Sequence, residues 1–297
     1  MTLPTANRSA TSNGSTHPSM PDAISDKYEL PVSQAVIEMQ QRDRLTSEQI
    51  AKWLGSALAA IAVLWYAGIV SEIDLVELLE GGSTMGEYIG RYFPPDFSDW
   101  SSYFNDIVET IGMGIWGTLL AVIIAAPLSI LASGNLCPIW IVQPTRRLLD
   151  AMRAINEIVF ALVFVVAVGL GPFAGVLAIF VHTAGILGKL FSEAIENIDV
   201  GQIEGVRATG ASKLQEILFG VVPQVIPLWI SYVLYRFESN VRSATVLGIV
   251  GAGGIGVSLY QSFRSFDYNK VCAILIILIV AVGVIDSASA WLRRQFI

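Results

Sequence analysis

The stretch Glu204-Gly-Val-Arg-Ala-Thr-Gly210, followed by Val222-Pro223, decides the fold of this chain because it places a short polar helix between two strongly apolar segments. Gly205, Ala208 and Gly210 are small enough to let the backbone of another protein approach closely. The proline separates the polar helix from the apolar segment that follows. This pattern predicts a membrane protein that a partner grips from one side, although an amphipathic connector would also fit it.

The composition of the whole chain indicates the same class. Of 297 residues, 54% are hydrophobic and only 14% are charged, and the mean hydropathy is +0.61. Soluble domains of this size are less apolar. A bilayer core about 30 Å thick requires about 20 apolar residues per helix. Six stretches approach that length: 53–70, 111–132, 158–170, 173–186, 221–235 and 271–292.

The third and fourth stretches are short and are separated only by Gly169-Leu-Gly-Pro172. This turn predicts an antiparallel hairpin whose helices continue into the flanking sequence. Six crossings would place both ends of the chain on the same side of the membrane. The expected fold class is therefore all-α, a polytopic membrane helical bundle of about six transmembrane helices.

Lysine and arginine indicate which side is cytoplasmic, because cytoplasmic loops retain positive charge. Arg42, Arg44 and Lys52 precede the first stretch, whereas residues 71–109 carry Arg91 alone among nine acidic residues. We therefore expect both termini in the cytoplasm and residues 71–109 outside the cell.

Three cations do not fit this orientation. Arg242, Arg264 and Lys270 would lie outside or within the membrane, whereas Arg207 and Lys213 fall on the cytoplasmic side as six crossings require. Either the connection that carries them is re-entrant, or their charges serve a transported solute.

The sequence divides into three parts. Residues 1–50 are rich in Ser, Thr, Asn, Asp and Pro and are expected to form a disordered cytoplasmic tail rather than a secretory signal. Residues 51–110 hold the first transmembrane helix and the acidic external loop, and residues 111–297 form the core, with a cytoplasmic loop at 193–220. The net charge of -7 comes largely from the external loop and gives no support for a nucleic-acid partner.

Several motifs point away from a catalytic role. Gly251-Ala-Gly-Gly-Ile-Gly256 satisfies GxGxxG, but between membrane spans it favours close helix approach or a broken backbone over dinucleotide binding. Ala211 stands where a phosphate loop requires lysine, so the chain should not hydrolyse ATP by itself. His182 has no second ligand at metal-binding spacing and is expected to pack between helices. Cys137 and Cys272 are expected to be packing residues, so neither a metal site nor a disulfide is predicted.

With its spacing intact, Glu204-Gly-Val-x-x-x-Gly210 followed by Val222-Pro223 resembles the EAA loop of permease subunits in binding-protein-dependent ABC importers. The chain departs from the general pattern at Gly205 and Val206, where two alanines are usual, and at Gly220 and Val222.

These departures shift the resemblance toward one branch. The strings at 182–193, 204–212 and 235–256 resemble those of phosphonate-importer permeases. The resemblance covers roughly residues 105–297, and nothing is transferred from it to the tail or the external loop.

The resemblance implies a type I ABC importer permease fold in the inner membrane of a bacterium, surrounded by lipid. Such a subunit pairs with a second copy, docks two cytoplasmic ABC ATPase subunits and receives solute from an extracytoplasmic solute-binding protein. This chain would bind no cofactor, since the ATPase subunits use ATP and Mg. The residues expected to couple the ATPase to transport are Glu204, Gly205, Arg207, Ala208, Gly210 and Lys213.

A phosphonate is an anion, so its path should contain cations or hydrogen-bond donors, because an unpaired charge in a membrane is costly. Arg242, next to Ser243 and Thr245, is the preferred contact. Arg236 and Glu238 are path candidates that are slightly more expected to pair with each other as a structural anchor. His182 completes this candidate set.

Other charged residues are expected to be structural. Asp286 should reach the interface or pair with Arg293. Arg153, Asn156 and Glu157 should brace the start of the third span and the inner gate.

Rival functions remain open from the sequence. The EAA pattern does not separate phosphonate from phosphite, phosphate or methionine, because the binding protein usually sets selectivity. A membrane enzyme would need a nucleophile, base or metal set that the chain does not assemble. An ion-coupled carrier would often show an inverted repeat, whereas the glycine-rich interruption occurs once.

Overall fold

The computed structural model describes residues 47–72, 76 and 80–296, and every regular element in this part of the chain is helical. These residues fall into two compact units, one ending at Glu80 and the other beginning at Gly81. The predicted disordered tail falls on residues 1–46, outside the described residues, apart from its last four positions. The helices are α1 (Ser47–Val70), α2 (Gly82–Gly90), α3 (Trp100–Ala132), α4 (Ile139–Ala154), α5 (Glu157–Val168), α6 (Pro172–Glu196), α7 (Val200–Ala208), α8 (Lys213–Val250), α9 (Ile255–Arg264) and α10 (Tyr268–Phe296).

Five of these helices, α1, α3, α6, α8 and α10, are long and apolar enough to cross a membrane. A sixth crossing results if α4 and α5, which meet at an angle of 86°, count as one broken span. The predicted third span at 158–170 corresponds to α5, whose 12 residues are too short to cross alone. The predicted hairpin turn is confirmed, since α5 ends at Val168 and α6 begins at Pro172.

In the first unit, α1 presents its apolar side chains outward along its whole length. Trp53, Leu58 and Trp65 are all exposed. A helix with exposed apolar side chains along its length is suited to contact with lipid.

In the second unit, α3 begins earlier than the predicted span at 111–132. Its first three turns contain acidic residues, and for that reason residues up to 109 were predicted to belong to the external loop. In the structure these turns are helical and bury Tyr103, Ile107 and Thr110. Tyr103 and Ile107 pack with Ile274 of α10. Apolar residues on one face therefore extend this helix to 33 residues.

The centre of the second unit is the packing of α3 against α6. A Cβ atom on Gly117 would lie 2.6 Å from Cγ2 of the buried Ile179, so the two backbones approach closely only because this residue is glycine. Ala121 and Ala125 continue the same face and are fully buried. Small residues at helix contacts are the usual means of tight packing in membranes.

At one end of the bundle, two glycine turns meet, residues 169–171 and 251–254. The Gly171 amide donates to the Gly251 carbonyl at 3.0 Å, and the Gly254 amide donates to the Glu109 carboxylate at 2.8 Å. The GxGxxG string therefore forms the turn between α8 and α9, consistent with the broken backbone expected there. A Cβ on Gly256 would lie 1.9 Å from the Thr245 carbonyl oxygen.

Candidate functional site

The first candidate site is the coupling segment, residues 197–225, which contains α7 and the start of α8. The Asp199 carboxylate accepts a hydrogen bond from the Gly201 amide at 2.9 Å and so caps the start of α7. The helix ends before Gly210, whose φ of +81° is a left-handed conformation that glycine adopts without strain. α7 is therefore a short helix with defined ends.

The exposed side of the coupling segment forms a groove of about 800 Å³. A Cβ on Gly205 or on Gly210 would meet nothing within 4 Å, so both glycines face open space. Their roles differ, because the backbone of Gly210 requires glycine whereas Gly205 is an ordinary helical position. The groove is lined by Gln202, Gly205, Val206, Thr209, Gly210, Ala211, Gln215 and Phe219.

The predicted coupling residues divide into two groups. Glu204, Gly205, Ala208 and Gly210 are exposed without a side-chain hydrogen bond or ion pair among the described residues. The other two, Arg207 and Lys213, bind a carboxylate within the chain, and are considered next.

Glu216, which the sequence reasoning missed, is the partner of both cations. Its side chain is only 8% exposed. Arg207 donates to Oε1 from Nε at 2.9 Å and to Oε2 from Nη2 at 3.1 Å, and Lys213 Nζ lies 3.0 Å from Oε2. The hydrogen bond to Glu216 raises the pKa of Arg207 above its ordinary value. A forked pair of this kind fixes orientation as well as distance.

A second set of contacts joins the other end of α7 to α8. The Asp199 amide donates to Oε1 of Gln224 at 3.1 Å, and Nε2 of Gln224 donates to the Asp199 carbonyl at 3.3 Å. Between the two ends, buried Ile203 packs with Val221 and Val225. The coupling helix is thus fixed to the start of α8 at both ends and along its middle.

The second candidate site lies in the membrane bundle, where the arginine predicted to contact solute is already paired. Arg242 donates to Glu238 at 2.9 Å and to Asp286 at 3.2 Å. The expected alternative pairs are wrong: Glu238 contacts Arg242 and Arg293 instead of Arg236, and Asp286 contacts Arg242 instead of Arg293. One helical turn separates residues 238 and 242, so α8 presents both to α10.

Arg236 has no such partner. Among the described residues no carboxylate lies within 4.0 Å of its guanidinium group, its Nε is buried without a hydrogen bond, and Nη2 makes a long 3.4 Å contact with Asn240. Asn240 is buried and links three helices, since it accepts from Thr183 at 2.9 Å and donates to Thr118 at 2.8 Å. The hydrogen bonds of Asn240 therefore hold Arg236 in place, but they supply no negative charge to balance it.

His182 joins α6 to the bend between α4 and α5. Its Nδ1 lies 2.9 Å from the Ile155 carbonyl and its Nε2 lies 3.3 Å from the Glu157 carboxylate. Ser243 donates to the other oxygen of Glu157 at 2.8 Å. This geometry is what the predicted polar packing role of His182 requires.

Asn156 caps α5 through a 2.9 Å bond from the Ile158 amide, as a residue bracing the helix start should. Arg153, also expected to brace the helix start, pairs with Asp150 at 2.9 Å.

A cavity of about 320 Å³ lies beside the contact between Glu157 and Ser243. It brings together Arg242 and Ser243 from the predicted set with Glu157 and Ser239. Thr245 is separate from it, because it is buried and its hydroxyl donates to the Val241 carbonyl at 3.3 Å.

The remaining cations that contradicted the orientation also have local partners. Lys270 Nζ lies 2.6 Å from the Asp99 carboxylate, and the Arg264 guanidinium lies 5.7 Å from the centre of the Tyr260 ring. Their charges are therefore used within the end of the bundle that carries the glycine turns.

Among the described residues, no group of three or more His, Cys, Asp or Glu side chains is placed to hold a metal ion.

Comparison with known proteins gives concordant results. Residues 125–297 match the family described as binding-protein-dependent transport system inner membrane component. The chain is 43% identical to the putative phosphite transport system permease protein HtxC of Stutzerimonas stutzeri, over 80% of this chain and 83% of that protein. It is 60% identical to the putative cryptic phosphonate transport system permease protein PhnE2 of Escherichia coli K12, over 41% of this chain and 99% of that protein. An inward-facing structure of the MetNI methionine ABC transporter superposes with a TM-score of 0.59 at 22% identity, covering 66% of this chain and 96% of the matched one, which supports the fold alone.

Proposed function

Because this chain belongs to the family of inner membrane components of binding-protein-dependent transport systems, we propose that it is the permease of an ABC importer for phosphonates or related phosphorus oxyanions. ATP hydrolysis in partner subunits drives the import. Phosphite, phosphate or methionine is the alternative solute, and an ion-coupled carrier is the alternative class.

The observation that carries this proposal is the groove of the coupling segment. It is open, contains two glycines that a partner can approach, and is fixed to a membrane-crossing helix. Such a surface suits a rigid protein partner that delivers mechanical work. We propose that this partner is a cytoplasmic ABC ATPase. In this proposal α7 and both chain termini lie in the cytoplasm, and the glycine turns lie on the opposite side of the membrane.

A second copy of the chain completes the transport path in this proposal. Support comes from α5, which begins at the cavity residue Glu157 and whose apolar residues Val159, Val163 and Val166 are exposed. A solute-binding protein delivers the anion to the glycine-turn end. The chain itself binds no cofactor, and ATP and Mg act in the ATPase subunits.

For the anion contact, we propose Arg236 ahead of Arg242. Two carboxylates already balance the charge of Arg242, whereas Arg236 keeps a buried donor without a partner. A phosphorus oxyanion supplies acceptor oxygens that a guanidinium group binds in a forked geometry. Hydrogen bonds to charged groups contribute about 1.5–3 kcal/mol, so Arg236→Gln should lower apparent solute affinity about 10- to 150-fold.

The test is ATPase stimulation in liposomes that hold the chain with its ATPase and binding protein, with a phosphonate, phosphite, phosphate or methionine as solute. The proposal expects phosphonate to stimulate and Gly205→Leu, which fills the groove without backbone strain, to abolish stimulation. Gly283→Leu is the matched control, because a Cβ there also meets nothing within 4 Å but Gly283 lies on α10, outside the groove. Stimulation by methionine alone would overturn the solute, and uptake that follows an ion gradient without ATP would establish the carrier.

A further inference from the structure

The buried carboxylate of Glu216 sits where the coupling helix meets the membrane-crossing helix, and it carries an inference that rests on the proposed function. Its two oxygens are divided between cations on either side of it, Arg207 on α7 and Lys213 at the start of α8. Glu216 therefore belongs to the junction between two helices, and it has no exposed surface large enough to be a docking contact itself.

The backbone at this junction is unusual. Residues Glu216–Val221 form a π-helical turn between the first turn of α8 and its long segment Val222–Leu247. Such turns are rare and are concentrated at functional sites. Pro223 favours a wide turn here, because its ring clashes with the carbonyl four residues earlier and it donates no hydrogen bond.

The π turn has a mechanical consequence. It holds one residue more than an α turn, so conversion to α-helix would rotate Glu216 by about 100° relative to the rest of α8. The forked bond from Arg207 fixes the direction of the carboxylate and opposes that rotation. The contacts of Asp199 with Gln224 hold the other end of α7 on the same helix.

We propose that Glu216 is a positioning residue for energy coupling: it locks α7 to the π turn, so that α7 and the start of α8 move as one rigid body. Displacement of α7 by the ATPase then moves the membrane-crossing helix. Without the lock, α7 swings on its own and ATP hydrolysis proceeds without transport.

The experiment measures solute transported per ATP hydrolysed by the full complex in liposomes, together with the amount of ATPase that copurifies. Glu216→Gln and Arg207→Lys each remove the forked ion pair while leaving the exposed groove in place. Both should keep ATPase copurification and ATP turnover within about twofold of wild type and lower transport per ATP at least tenfold. The exchange Arg207→Glu with Glu216→Arg, made together with Lys213→Gln so that no lysine repels the new arginine, should restore at least half of the lost coupling.

Asp150→Asn is the matched control, because Asp150 is also a carboxylate shared by two arginines but lies on α4. It should leave transport per ATP unchanged. Normal coupling in both Glu216→Gln and Arg207→Lys would overturn the inference, as would loss of ATPase copurification in both, since that assigns the pair to folding or docking. A wild-type complex with no ATP-driven uptake of any solute would overturn the proposed function and this inference together, a result distinct from failure of the lock alone.

Discussion

Replacement of Gly256 by alanine tests how the glycine-turn end of the bundle is built. A Cβ at this position would lie 1.9 Å from the Thr245 carbonyl oxygen and 2.9 Å from Cα of Gly248, whereas real Cβ contacts stay beyond 3.0 Å. The obstructing atoms are backbone, so no side-chain rotation relieves the clash. Either α9 or the end of α8 has to move.

The expected cost follows from that geometry. Overpacking of a core costs about 1–3 kcal/mol, and a backbone obstacle places Gly256→Ala at about 3 kcal/mol, the upper end. That change lowers the ratio of folded to unfolded protein more than a hundredfold. For a chain of this size it corresponds to a fall in melting temperature of about 6–12 °C.

The assay is thermal unfolding of the purified chain in detergent. Unfolding is detected by the reaction of Cys272 with a fluorogenic maleimide, in a Cys137→Ser background so that Cys272 is the cysteine that reacts. Cys272 is suitable because it is only 8% exposed and neighbours the α10 residues that pack on Ile255. Gly283→Ala is the matched control, since a Cβ there meets nothing within 4 Å and should leave the melting temperature unchanged or raise it. A Gly256→Ala protein that melts within 2 °C of wild type, a margin well below about 6 °C, would refute the reasoning.

Three further predictions concern packing and charge. Leu149→Ala should destabilise the chain by about 2–5 kcal/mol, because Leu149 is fully buried where α4 crosses Gly188; the same thermal assay measures it. Asn240→Ala should cost about 1–2 kcal/mol by leaving hydroxyls of α3 and α6 without their partner, and an unchanged melting temperature would contradict this. Lys270→Gln should cost less than about 1 kcal/mol, with the difference from wild type disappearing in high salt, because its ion pair with Asp99 is partly exposed.

The fold class and the family were predictable from local sequence. The polar stretch at 204–210 contains the second half of α7, which is a short helix between two apolar segments as predicted, and the family match confirms the resemblance that was drawn from this stretch. The hairpin turn at 169–172 was equally predictable, because glycine and proline favour turns through their own backbone conformations.

The start of α3 was not predictable from hydropathy. Its acidic residues suggest an external loop, and its burial of Tyr103 and Ile107 depends on α10, more than 160 residues later in the chain. A hydropathy average combines both faces of a helix. It therefore does not detect a helical turn that is apolar on one face, packed against another helix, and acidic on the other.

The charged contacts needed three-dimensional structure for the same reason. Nothing near Arg242 in the sequence reveals that Asp286 shares it with Glu238. Glu216 could have been noticed as an acidic residue at the start of an apolar helix, three residues after Lys213, but its pairing with Arg207 depends on the turn between α7 and α8.

In the proposed importer, the extension of α3 would place an acidic rim at the side where solute enters. A helix of 33 residues is about 50 Å long, against a hydrocarbon core of about 30 Å, so its acidic first turns stand in the aqueous layer. Asp99 forms an ion pair with Lys270, whereas Asp106 and Glu109 have no cation within 4.0 Å among the described residues and accept hydrogen bonds from Ser258 and the Gly254 amide. A dissolved oxyanion approaching alone meets this negative rim within a Debye length of about 8 Å, whereas one enclosed in a carrier protein is shielded from it until release. In the proposed importer, such a rim would favour delivered solute over stray solute of the same charge.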